Sequence, residues 1–192
     1  PVMEVQHHHA HMVSCMAENE YEGTALGVTF DGTGYGPDGT IWGCEFLLGD
    51  ENGYERVGSI TPFVHAGGDI ASREGWRIAY SMMSTALGSE SANRIAETLG
   101  LGDEQSRQAI DFMLGNNVNT VKSTSAGRLF DAASAVLGIK SASTFEGEAS
   151  MALQFAAERA ESQGISLAPY EGRLMNIDEE QFELCTDTLL ME

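Results

Sequence analysis

Apolar positions recur at helical spacing over residues 5–18, VQHHHAHMVSCMAE, where Val5, Met12, Val13 and Met16 share compatible positions. The following GTALGVTF, residues 23–30, reads as a buried strand. A glycine-rich turn, DGTGYGPDGT over 31–40, then leads into two further strands, IWGCEFLLGD and GYERVGSITPF, joined through Asn52-Gly53, a hairpin signal. From Asp69 the period becomes helical. ASREGWRIAYSMMSTALG and SANRIAETLG each end on a glycine suited to a left-handed cap, Gly88 and Gly100. Further helices are predicted over 103–114, over SAGRLFDAASAVLG up to Gly138, and over GEASMALQFAAERAESQG up to Gly164. Residues 178–192 form a last amphipathic stretch. The expected order is strands first and helices after, with no fixed-period repeat and no low-complexity tract.

With 192 residues and 42% hydrophobic content, the chain can bury one good core, so one domain or a large part of one is expected. A formal charge of -19 repels a phosphate backbone, which disfavours nucleic acid as a direct partner. Cys15, Cys44 and Cys185 stand far apart with no CxxC pair, against a disulfide framework or a zinc ribbon. No apolar run reaches the roughly 18 residues of a membrane span, and the N-terminus lacks the regions of a signal peptide. A cytoplasmic protein without a membrane partner is the expectation. The chain opens on Pro1 and stops at Glu192 inside an amphipathic stretch, so it is expected to be a piece of a longer protein.

Four of the five histidines, His7, His8, His9 and His11, lie within five residues. On a helix, positions i and i+4 share a face, so His7 and His11 can aim imidazole nitrogens at one ion about 2 Å away. His8 stands where a HExxH zinc protease has its general base, which disfavours that chemistry. On spacing alone a ligand role and a packing role weigh equally, because two imidazoles do not complete a coordination shell. In the glycine-rich segment, Gly32, Gly34, Gly36 and Gly39 would let backbone amides approach an anion, and Asp31 could ligate a cation. No Walker lysine follows and the spacing is not GxGxxG, so a plain hairpin turn explains the same letters equally well.

The ordered set VQHHHAH, FDGTGYGPDGTIWGCE, TPF with GGD and REGWR, then SAGRLFDAASAVLG with FEGEASMAL resembles the HypF family, carbamoyltransferases that mature [NiFe] hydrogenases. The resemblance runs from Val5 to about Leu153 and covers part of the family's C-terminal, Kae1-like domain. It implies an α/β fold of the actin-like (ASKHA, RNase-H-type) class. Residues 1–22 would end the first lobe with the HxxxH helix. Residues 23–192 would give the second lobe's β-hairpin unit followed by helices, with the domain truncated at both ends. The implied chemistry makes carbamoyl-adenylate from carbamoyl phosphate and ATP, then passes the carbamoyl group to the C-terminal cysteine of HypE.

Carried over, the resemblance makes His7, His11 and Asp31 ligands of a divalent metal, zinc or iron, and gives Asp31 and His8 catalytic positions. It assigns nucleotide contacts to Asp31, Gly32, Thr33, Gly34, Asp131, Glu146 and Gly147. For Asp131, helix capping or surface exposure is the competing explanation. Arg73 and Arg77, one helical turn apart, are expected to pair with acids rather than to face a phosphate. The family's late glycine-rich motif and a further metal-binding Asp should lie beyond Glu192, so the chain is expected to be inactive alone. Two alternatives share the fold: a Kae1/TsaD-like tRNA threonylcarbamoyltransferase and an O-carbamoyltransferase. DGTGYG, where Kae1 proteins carry an SGGHT-like loop, favours HypF. A non-catalytic metal-binding interaction domain is the alternative of another class.

Overall fold

The computed structural model of the chain describes residues 4–165, 172–176 and 181–186, and these form two compact units. The first unit runs up to Pro62 and includes Lys122–Ala126 and Gly172–Thr186. It opens with α1 (His7–Glu18), followed by β1 (Ala25–Tyr35), β2 (Ile41–Asp50) and β3 (Gly53–Ile60). β1 pairs antiparallel with β2, and β2 with β3 through the turn that closes Asp50 onto Gly53, at the predicted hairpin. Helix α1 lies on this sheet and buries Met12 and Met16 against Trp42 and Leu47. Complete burial of side chains of this size stabilises by about 1.5–3 kcal/mol each, which fixes the face α1 turns inward.

The second unit holds Phe63–Val121 and the chain from Gly127 through the last long helix. Its elements are β4 (Phe63–Ala66), a 3-10 turn at Gly68–Ile70, α2 (Gly75–Leu87), α3 (Ser89–Leu99), α4 (Glu104–Asn116), α5 (Ala126–Val136) and α6 (Glu148–Ser162). α2 is its centre and buries Trp76, Ile78, Ala79, Tyr80, Met82 and Met83. The Asp111 carboxylate on α4 accepts hydrogen bonds from Tyr80 Oη and Ser84 Oγ, both at 2.7 Å, and so clamps α4 to α2. Between α4 and α5 lies β5 (Thr120–Ser123), whose Ser123 end joins the first unit's sheet parallel to β2 at Ile41. The chain then returns to that sheet with β6 (Leu174–Asn176) and β7 (Phe182–Leu184), the latter parallel to β3.

Several expectations are corrected here. The first strand does not stop at Phe30 but runs through a bulge to Tyr35, so the first half of the glycine-rich segment is strand. It is not a buried strand either. β1 pairs only with β2 among the described residues, and period-two alternation leaves Leu26, Val28 and Phe30 exposed. The strand predicted through Phe63 breaks after Ile60, because Pro62 has no N–H to give the ladder. Strands do not all precede helices, since β5, β6 and β7 come late and are too short for a period to show. Gly100 takes the left-handed cap at φ 69, ψ 30, whereas Gly88, at φ 80, ψ 154, lies outside that basin. Most of the 178–192 stretch lies outside the described residues, and its described part contains β7. No helix among the described residues is long and apolar enough to cross a membrane.

Candidate metal centre

Helix α1 starts at a Gln6 cap, whose Oε1 accepts from the His9 amide at 2.9 Å. The helical turn then divides the histidine cluster. His8 and His9 point inward with Met12 and Met16, while His7 and His11 sit on the open side with side chains 51% and 53% exposed. His9 Nε2 meets the Asp50 carbonyl at 2.7 Å and its ring packs on Tyr54, which ties α1 to the β2–β3 hairpin. The packing role therefore falls to His8 and His9, and the open pair is left for a ligand.

Asp31 on β1 completes that pair. His7 Nε2 lies 2.8 Å from Asp31 Oδ2, His11 Nε2 lies 3.1 Å from His7 Nε2 and 3.9 Å from the same Oδ2. Ligand atoms about 2.0–2.1 Å from a common ion are separated by roughly 2.9–3.4 Å in octahedral or tetrahedral geometry. The three distances bracket that range, so His7, His11 and Asp31 fit one divalent ion with small side-chain adjustment. Imidazole and carboxylate donors suit zinc and ferrous iron alike. Burial opposes ionisation of Asp31, but the amides of Gly32 and Thr33 and the His7 contact outweigh it and hold the carboxyl below its ordinary value.

His8 is buried beneath the open pair. Gln6 Oε1 is an acceptor for the His9 amide, so Gln6 Nε2 is the donor towards the Tyr35 carbonyl and His8 Nδ1, both at 3.2 Å. An accepting Nδ1 leaves the His8 proton on Nε2, which is buried without a hydrogen-bond partner, 3.7 Å from Asp31 Oδ2. Burial pushes the His8 ring down to about 4, with Asp31 pulling the other way, so the ring is neutral near pH 7. Sequence reasoning missed Gln6, which is not one of the residue types that usually mark a helix start.

The glycine-rich segment is built around these groups. A Cβ on Gly34 would stand 2.2 Å from His8 Cε1, so the glycine there admits the buried ring. The Gly32 amide donates to Asp31 Oδ1 at 2.6 Å and Thr33 Oγ1 to the Gly32 carbonyl at 2.6 Å.

The other sequence-derived candidates belong to the second unit. Asp131 is neither a cap nor exposed: it sits within α5, buried, with Oδ2 2.8 Å from Arg128 Nη1. Burial raises its carboxyl above the ordinary value although Arg128 pulls it down. Glu146 is exposed, and Gly147 takes a left-handed conformation just before α6. Next to them, Glu148 closes the 140–148 loop through Lys140 Nζ at 2.5 Å and the Thr144 hydroxyl at 3.0 Å. Arg77 pairs with Glu74 at 2.6 Å, as expected, and lies over the Trp76 ring. Arg73 precedes α2 and is exposed, so the two arginines do not share a helix face.

A family model described as the second subdomain of the carbamoyltransferase Kae1-like domain, HypF type, matches residues 27–190. The chain belongs to the HypF carbamoyltransferase family. The match begins within β1, so the histidine helix precedes it. Carbamoyltransferase HypF of Rhodobacter capsulatus is 41% identical over 158 residues, covering 80% of this chain and 21% of its own length. The probable carbamoyltransferase HypF of Methanocaldococcus jannaschii is 37% identical, covering 82% of this chain and 20% of its own length. A crystal structure of full-length HypF in a phosphate- and nucleotide-bound form superposes with a TM-score of 0.81 at 29% identity, over 100% of this chain and 24% of that one. HypF of T. kodakarensis gives a TM-score of 0.74 at 27% identity, over 95% of this chain and 24% of that one. The chain therefore has the α/β, actin-like Kae1-like fold in part, and spans about a fifth of the length of these curated HypF relatives.

Proposed function

We propose that this chain supplies the metal end of a carbamoyl-transfer site: carbamoyl-adenylate, made from carbamoyl phosphate and ATP, gives its carbamoyl group to the C-terminal cysteine of HypE. The observation that carries the reading is the convergence of His7, His11 and Asp31 in a member of the HypF family. A divalent ion held there would draw charge from the adenylate's oxygens as the bond to phosphate weakens. His7 and His11 offer imidazole nitrogens from one helix face. Asp31 offers a carboxylate already steadied by the Gly32 amide. In the same reading Gly32, Thr33 and Gly34 border the phosphate end, while in the second unit Asp131, Glu146 and Gly147 are assigned to nucleotide contact.

The acceptor is a partner's thiolate. It forms the C–S bond while the carbamoyl carbon–oxygen bond to phosphate breaks and AMP departs with the electron pair. Two of the chain's own cysteines fit this poorly: Cys44 is buried, its thiol pushed up to about 12 by burial with Glu45 adding to it, and Cys185 is buried. The charge of -19 favours a protein acceptor over tRNA. The test is a chimera in which this chain replaces the corresponding fifth of Rhodobacter capsulatus HypF, supplied with radiolabelled carbamoyl phosphate, ATP and HypE. Label is expected on the HypE cysteine. Normal adenylate formation with unlabelled HypE, or label on tRNA, would contradict the proposal.

A further inference from the structure

Glu45 is a fully buried carboxylate in the middle of β2, and the metal centre as described makes no use of it. Its surroundings explain why it is there. In the β1–β2 ladder Phe30 faces Cys44 and Gly34 faces Trp42, so three β1 residues, Asp31, Gly32 and Thr33, stand opposite Gly43 alone. Two extra residues are thereby inserted into β1, and its regular alternation is broken there. Gly27 and Gly34 both turn towards α1, since a Cβ on one would meet Met12 and on the other His8, and Asp31 reaches His7 on the same side. Positions 27 and 31 share a parity and 34 does not. The bulge is what brings both the Asp31 carboxylate and the open backbone of Gly34 under the histidine helix.

A bulge breaks ladder hydrogen bonds, and the backbone groups it releases must find partners when buried. Glu45 and Ser125 provide them. Glu45 Oε1 accepts from the Gly43 amide at 3.0 Å and from the Thr124 hydroxyl, and Oε2 is gripped by Arg56 Nε and Nη2, both at 2.6 Å. Across the bulge, the buried Ser125 hydroxyl is directed at the carbonyls of Asp31, 3.2 Å, and Gly32, 2.7 Å. Gly43 must be bare for these to meet, because a Cβ there would stand 2.6 Å from the Asp31 carbonyl and 2.7 Å from Ser125 Cα.

We propose that Glu45 and Ser125 are positioning residues for the metal ligand Asp31, holding the bulge that places its carboxylate against His7 and His11. The proposal rests on the assignment of His7, His11 and Asp31 to a metal. Glu45 fixes the β2 side of the bulge and Ser125 the β1 side, and neither touches the ion. Loss of an outer partner of this kind lowers metal affinity by about 10–100-fold.

The experiment is a cobalt(II) titration of the chain followed by visible absorption, on wild type, Asp31→Ala, Glu45→Gln and Ser125→Ala, with far-UV circular dichroism on each. Asp31→Ala should abolish the wild-type cobalt spectrum. Ser125→Ala and Glu45→Gln should remain folded yet bind cobalt about 10–100-fold more weakly with an altered ligand-field spectrum, which a purely structural role would not produce. If Glu45→Gln does not fold, Ser125→Ala, which loses a single hydroxyl, decides alone. Unchanged binding in Asp31→Ala would overturn the metal assignment and this proposal with it. Weakened binding in Asp31→Ala with wild-type affinity and spectrum in Ser125→Ala would overturn the positioning role alone.

Discussion

Replacing His7 and His11 together by alanine is expected to lower the affinity of the chain for zinc by more than about 100-fold, beyond what loss of an outer-shell partner costs. Both imidazoles point to the open side of α1, and their nitrogens lie 3.1 Å apart. Without them Asp31 is left as a lone carboxylate, which holds zinc weakly at neutral pH. The fold should be indifferent to the change. Neither ring is part of the core, and the His7–Asp31 contact is a surface interaction worth at most about 1 kcal/mol. Competition against a chromophoric chelator measures the affinity, and a thermal melt on the same samples checks folding. Wild-type affinity in a folded double variant would mean that the histidines only pack and pair.

Asp131→Ala should cost about 3–5 kcal/mol of stability, because it removes one partner of a buried ion pair and leaves the other charge in place. The Asp131 and Arg128 side chains are only 7% and 11% exposed and meet at 2.8 Å. Arg128 also donates to the Ser72 carbonyl, so the guanidinium anchors the segment before α2 and cannot swing into solvent without releasing it. Asp131→Asn, which keeps shape and one acceptor, should lose less. Urea denaturation with an unchanged m-value is the measure. A loss below about 1 kcal/mol in Asp131→Ala would show that Arg128 rehydrates easily and that the carboxylate is held for something else. The consequence is practical: weak nucleotide binding in Asp131→Ala has meaning only once this stability loss is known.

The histidine helix was legible because i, i+4 spacing and the apolar positions at Met12 and Met16 independently specify the same two faces. Spacing could say which histidines pair, yet not that a strand carboxylate reaches them, since Asp31 lies 24 residues away across a bulge. The glycines were seen, but the reason for Gly34 was not: it makes room for the His8 ring, a contact between elements that no local pattern carries. Glu45 was visible as a charge amid the apolar IWGCEF, and Arg56 as its nearest basic residue in the following strand. Joining them required the register of β2 and β3, which itself shifts between Phe46 and Leu47. The short strands β4, β5, β6 and β7 escaped because three or four residues are too few to show a period of two. For Asp131, the Arg three positions earlier was a readable signal for a helical ion pair, and the deep burial of that pair was not.

The central claim is that His7, His11 and Asp31 hold one divalent ion, and X-ray absorption at the zinc edge of the loaded chain tests it most directly. The account predicts a shell of nitrogen and oxygen at about 2.0–2.1 Å, with the outer scattering of two imidazoles that disappears in the double histidine variant. A shell without imidazole scattering, or one containing sulfur at about 2.3 Å, would contradict it and move the site towards a cysteine.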